Sequence, residues 1–187
     1  VVDDALMGVN YICRGQEFLA QTWRHAALRE ALGFETPRYC HLPLILDMQG
    51  RKLSKRDGAV EVHTFRKMGY LPEALVNFIA LLGLNPGGDR EKMTLDEMVD
   101  MFGPERIGKA NARFDRDKLL AFNTDAMAAA DEQSLLVGLK DYLSLNPGVP
   151  IPQDDEVLMQ LLRANTNART FADIADKCSV LFASDDA

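Results

Sequence analysis

Four cations and no anion fall within six residues, at Arg51, Lys52, Lys55 and Arg56, in a chain whose net charge is −7. Such a cluster calls for an anionic counterpart. Lysine supplies a compact ammonium that can follow a moving phosphate, and arginine adds a fixed bidentate fork. Ser54 contributes a hydroxyl, while Gly50 and Gly58 give the flanking backbone freedom to close over a ligand. This chemistry suits a triphosphate whose bridging oxygen gains charge as pyrophosphate leaves. Cations placed there stabilise the transition state more than the ground state. On residue types alone, a solvated basic hairpin or a localisation tract competes with this reading.

Periodicity indicates the elements that must carry the loop. Residues 9–14 predict a short strand ending at Gly15. Apolar residues at helical spacing from Phe18 to Leu32 predict a helix over residues 17–32, stopped by Gly33. Residues 39–46 predict a second strand, in which Pro43 lacks a donor and needs an edge, an end or a bulge. Strand, helix and strand make a βαβ unit with parallel pairing. Asp47 to Gly50 forms a turn into the basic segment. Helices are expected beyond it at residues 60–68, 72–82, 115–123, 131–144, 154–164 and 169–183. Thr94 to Glu97 fits a capping box ahead of Met98, Val99 and Phe102. Pro147, Pro150 and Pro152 mark a break within the helical stretch.

Composition places the chain in the globular range, with 47% hydrophobic and 26% charged residues, and no apolar run approaches the ~20 residues of a membrane helix. No signal peptide is legible in Val1-Val2-Asp3-Asp4, and the chain is expected to begin inside a longer protein. Residues 1–70 carry net +2 and residues 71–187 net −9, so a phosphate-rich partner would be drawn mainly to the first part. Cys13, Cys40 and Cys178 are expected to be buried structural thiols in a reducing, cytoplasmic setting. His25, His41 and His63 match no metal or general-base pattern, and only His41 stands near the expected nucleotide. Trp23, Phe78, Phe102 and Phe122 are expected in the core. Between Lys109 and Arg116, further cations such as Arg113 are candidates for RNA phosphate contact or a solvated face.

Lys52-Leu53-Ser54-Lys55-Arg56 resembles the KMSKS signature of class I aminoacyl-tRNA synthetases, in the variant of glutamyl enzymes. The likeness extends, in family order and spacing, through Val1 to Asp4, Leu6-Met7-Gly8, Arg14-Gly15, Leu32-Gly33, His41 to Leu44, Gly69 to Leu75, Leu81 to Gly83, Phe114-Asp115, Lys118-Leu119 and Arg169 to Phe171. The chain is similar to bacterial-type glutamyl-tRNA synthetases over nearly its whole length. The resemblance implies a mainly α fold with a small α/β part. Residues 1–64 would be the last βαβ portion of a Rossmann-type catalytic domain, residues 65–135 a helical stem-contact domain, and residues 136–187 the start of a helical anticodon-binding domain.

It also implies ATP-dependent activation of L-glutamate and transfer to tRNA(Glu) by a cytoplasmic, monomeric enzyme with no membrane contact. Arg14 would bind glutamate, by a guanidinium that pairs bidentately with a carboxylate. Glu17, Leu44, Ile45, Lys52, Leu53, Ser54, Lys55 and Arg56 would bind ATP, with Lys52 and Lys55 catalytic on the phosphates. The Leu44 and Ile45 side chains are expected in the core while their backbone meets adenine. Mg2+ would arrive with ATP, with no metal site of the chain's own. The first half of the active site is expected to lie outside these residues, leaving the 187 residues inactive alone. Alternatives are a noncatalytic RNA-binding or scaffolding module, a glutaminyl-type relative, which would continue into β-barrels, and a tRNA-modifying relative, which would lack the anticodon region.

Overall fold

Pro43 divides what the sequence presents as one strand. In the computed structural model, which describes residues 1–54 and 61–182, β1 (Tyr11–Gly15) pairs with β2 (Arg38–Leu42) in parallel register, from Tyr11 opposite Arg38 to Gly15 opposite Leu42. The ladder stops at Leu42 because the next residue has no N–H to give. The chain resumes as β3 (Ile45–Leu46), whose parallel partner is β4 (Ala112–Arg113). A short α1 (Val2–Leu6) precedes β1. The predicted helix after Gly15 opens as a 3-10 turn over Gln16–Phe18 and continues as α2 (Leu19–Ala31), the crossover of the βαβ unit.

The remaining described elements are helical: α3 (Val62–Lys67), α4 (Pro72–Gly83), α5 (Leu95–Met101), α6 (Arg116–Ala129), α7 (Glu132–Leu145), α8 (Asp155–Ala164) and α9 (Phe171–Cys178). Asp115, Asp131, Asp154 and Thr170 cap the last four, each side chain accepting from N–H groups of the first turn. The mainly α fold with a small parallel-strand part is as the sequence implies. No described helix is long and apolar enough to cross a membrane.

Two compact units emerge. The first comprises Val1–Leu53, Ala80–Glu91 and Glu97–Phe114. Its buried apolar side chains are few, notably Leu84, Met98 and Phe114. The only buried residue of α2 is Arg29, 2% exposed. Its Nη1 donates to the Glu35 carbonyl at 2.9 Å, and Asp4 lies 3.7 Å from Nη2. Trp23 and Phe102, expected in the core, are each 66% exposed, and Ile45 is exposed as well. Periodicity gave Trp23 and Phe102 an apolar face, which the described residues leave largely exposed. Cys13 is also exposed and Cys40 half-buried; of the three thiols only Cys178 is buried as expected.

The second unit comprises Ser54–Ile79, Lys92–Asp96 and Asp115–Ala187, and it holds most of the core. Leu119, Leu139, Leu158 and Ile174 are fully buried, and Phe78 and Phe122 meet edge to face at 6.4 Å. At its centre Asn123, 0% exposed, accepts the Leu71 N–H at 2.8 Å and donates to the Arg169 carbonyl. Phe171 sits against two glycines. A Cβ on Gly138 would lie 2.5 Å from its ring, and one on Gly69 would lie 2.8 Å from its backbone nitrogen. Gly69 also holds φ +80°, which L side chains rarely adopt.

Candidate functional site

Asp47 builds the turn that presents the basic segment. Its Oδ1 accepts the N–H groups of Gln49 and Arg51 at 2.9 and 2.8 Å, and its Oδ2 accepts Arg51 Nε at 2.7 Å. Gly50, at φ +81°, closes the turn by donating to the Asp47 carbonyl. Burial pushes the Asp47 carboxyl up, but the Arg51 N–H and guanidinium prevail and hold it below the usual range. Arg51 is thereby committed to the turn. The next residue, Lys52, pairs with Leu46 in an isolated antiparallel bridge, and the Leu53 N–H donates to the Ile45 carbonyl at 2.9 Å.

Lys52 extends to Glu17, with Nζ 3.1 Å from Oε1. Glu17 lies in the 3-10 turn after β1, and its own backbone N–H, with Lys52 second, lowers its carboxyl below the ordinary value. The carboxylate folds back over Gly15, where a Cβ would stand 2.1 Å from Oε2. Two of the predicted ATP-binding side chains therefore hold each other. Both are substantially exposed, so this pair is easily exchanged for a stronger anion.

Arg14 is the penultimate residue of strand β1, one before Gly15. Nη2 donates to Thr22 Oγ1 at 2.9 Å and to the Phe18 carbonyl at 3.3 Å. Nη1 is 3.3 Å from His25 Nδ1, and Nε is 3.5 Å from His41 Nε2. The guanidinium also lies over the rings of Tyr39 and Phe18, at 5.2 and 5.7 Å. No carboxylate among the described residues pairs with it. A fixed cation set among imidazoles, a hydroxyl, a carbonyl and two rings is suited to receive a carboxylate from outside the chain.

At the strand end, the Leu44 N–H donates to Asn111 Oδ1 at 2.9 Å, and its carbonyl accepts the Ala112 N–H at 3.2 Å. Ser54 is exposed. Lys55, Arg56 and Gly58 lie outside the described residues. No group of three or more His, Cys, Asp or Glu among the described residues could hold a metal ion.

Asp47 is legible in the sequence as the start of a turn but without a role for its side chain, His25 and His41 without partners, and Thr22 and Asn111 not at all. Asp47 had a signal, the Asx turn of an Asp three residues before a Gly. His41 had another, since parallel register places it opposite Arg14. For Asn111 the sequence offers none.

A family model described as tRNA synthetases class I (E and Q), catalytic domain, matches residues 1–121. The glutamate–tRNA ligase of Natranaerobius thermophilus is 46% identical over 143 residues, 76% of this chain and 29% of that protein. Glutamate–tRNA ligase 1 of Syntrophus aciditrophicus is 39% identical over 183 residues, 97% of this chain and 38% of that protein. Among solved structures, a glutamate tRNA ligase from Elizabethkingia meningosepticum, in complex with its amino acid, superposes with a TM-score of 0.79 at 30% identity, covering 100% of this chain and 40% of that one. The glutamate–tRNA synthetase of Elizabethkingia anophelis gives 0.80 at 30% identity, covering 100% and 41%. The chain thus spans well under half the length of the relatives it matches. It belongs to the class I (E and Q) tRNA synthetases, and residues 1–121 fall within their catalytic domain.

Proposed function

We propose that the chain is part of a glutamate–tRNA ligase. The carrying observation is the placement of Arg14, without a carboxylate partner among the described residues, on the strand end from which Glu17 reaches Lys52. Arg14 receives a carboxylate of L-glutamate. The Leu44–Ile45 strand end meets the adenine of ATP, and Lys52, with Leu53, Ser54, Lys55 and Arg56, grips the triphosphate, which brings its own Mg2+. The triphosphate takes Lys52 from Glu17, because several phosphate charges outcompete one exposed carboxylate.

In the first step a glutamate carboxylate oxygen attacks the α-phosphorus of ATP. The bond to the bridging oxygen breaks, and pyrophosphate leaves with the negative charge that Lys52 and Lys55 stabilise. In the second step a terminal ribose hydroxyl of tRNA(Glu) attacks the acyl carbon and AMP departs. Residues 1–64 serve this chemistry, residues 65–135 contact the tRNA stem, and residues 136–187 begin the anticodon-binding region. The helices α7, α8 and α9 support the glutamyl reading over a glutaminyl one. The exposed apolar face of α2, with Leu19, Trp23, Leu28 and Leu32, is assigned to packing against further parts of the catalytic domain. The enzyme acts as a cytoplasmic monomer.

The test is a chimaera in which this chain replaces the matching segment of a curated relative. Glutamate-dependent ATP–pyrophosphate exchange is expected, and its loss in Arg14→Ala and Lys52→Ala. A folded chimaera without exchange, or one that prefers glutamine, overturns the proposal.

A further inference from the structure

The geometry points to Asn111 as a positioning residue for the nucleotide, a role that rests on the glutamate–tRNA ligase reading. Pro43 ends the β2 ladder, so the Leu44 N–H has left its former neighbour before β3 begins. The Asn111 side chain takes that N–H at 2.9 Å, and the same Oδ1 accepts Gln16 Nε2 at 3.1 Å. Ala112, the next residue, donates to the Leu44 carbonyl and stands opposite Ile45 in the β3–β4 register. One carboxamide oxygen therefore joins the strand end assigned to the base with the turn that carries Glu17, and through Glu17 with Lys52. It sets the distance between the base and phosphate ends of one ligand. It also takes the Leu44 N–H away from the base, which is left the second lone pair of the Leu44 carbonyl and the Ile45 backbone.

Both contacts are accepted by oxygen, so Asp can replace Asn while Ala cannot. In the chimaera, Asn111→Ala should raise the KM for ATP by on the order of three- to tenfold, as expected for one lost, partly exposed hydrogen-bonded bridge. The KM values for glutamate and tRNA should stay within about twofold, and Asn111→Asp should restore the ATP value. In the 187-residue chain itself, amide exchange at Leu44 should accelerate in Asn111→Ala and return to normal in Asn111→Asp. An unchanged ATP KM in Asn111→Ala, or equal shifts for all three substrates with a lowered Tm, overturns the positioning role while leaving the functional reading intact. A folded parent chimaera without any exchange overturns the functional reading instead, and unchanged Leu44 exchange removes the brace itself.

Discussion

Replacing Asn123 by Ala removes a side chain that is 0% exposed and joined to two backbone groups distant in sequence. The Leu71 N–H and the Arg169 carbonyl would then be left without partners, in a space that excludes water. At ~1–3 kcal/mol for each of the two unsatisfied buried groups, the loss is about 2–6 kcal/mol. For a chain of this length that corresponds to a fall in Tm of about 4–24 °C, at ~2–4 °C per kcal/mol. Asn123→Asp separates the two contacts. Its carboxylate still accepts from Leu71 but cannot donate to Arg169, and burial raises its pKa. A group with a raised folded-state pKa contributes stability below its unfolded value of ~3.9, and loses it as pH rises through the folded value. The Asp variant should therefore gain on the Ala variant as pH falls from neutral toward that range. Thermal melts followed by circular dichroism at several pH values read both effects. An Ala variant melting within about 2 °C of wild type would refute the reasoning, because it would mean that neither bond is made in the interior.

Three further outcomes follow from the packing and charge. Gly138→Ala should destabilise by up to about 2 kcal/mol in chemical denaturation, the ~1–3 kcal/mol of overpacking against the buried Phe171 ring less the helix-propensity gain of ~1 kcal/mol; a stabilised variant would contradict the 2.5 Å approach. Arg29→Met should leave Tm unchanged or raise it, because Nε and Nη2 find no hydrogen-bond partner among the described residues and the ion pair with Asp4 spans 3.7 Å; a loss above about 2 kcal/mol would show that the fork is satisfied. Acid should unfold the chain progressively below about pH 4, as measured by a pH series of melts. Asp141 beside Arg66, Glu132 beside Arg163 and Asp131 beside Ser134 all have lowered pKa values, so their stabilisation is complete above the unfolded values of ~3.9–4.3 and is lost as pH falls through the folded ones. Maximum stability at pH 3 would contradict these pairings.

The βαβ unit was legible because Gly15 and Gly33 punctuate runs of clear period, and parallel pairing follows from the helix between the strands. Pro43 announced a defect in the second strand. It did not announce that β3 would turn to Ala112–Arg113, because two residues carry no period and their partner lies far along the chain. The exposed Trp23 and Phe102 show what periodicity omits: it assigns an apolar face but not the surface that covers it. Asn123 left a trace, a polar residue on the stripe of Leu119, Phe122 and Met127, which marks a buried hydrogen bond rather than a solvated face. The loop cations were legible by type, yet their division was not. Arg51 belongs to Asp47 and Lys52 to Glu17, and only coordinates separate a turn-building cation from one that a ligand can claim.

The seat of Phe171 has a consequence for how this protein is made. Gly69 and Gly138 form a notch that is filled from the last described helix, so it stands empty while the intervening chain is translated. At 5–20 residues per second, the wait between Gly138 and Phe171 is on the order of 2–7 s. Over that interval α3 and α7 can meet, but the ring that packs against Gly69 and Gly138 is absent. The nascent second unit is then an apolar surface awaiting one aromatic ring, open to chaperones and to mispairing on the polysome. A ribosome that stalls or terminates before Phe171 is added would leave the same notch unfilled.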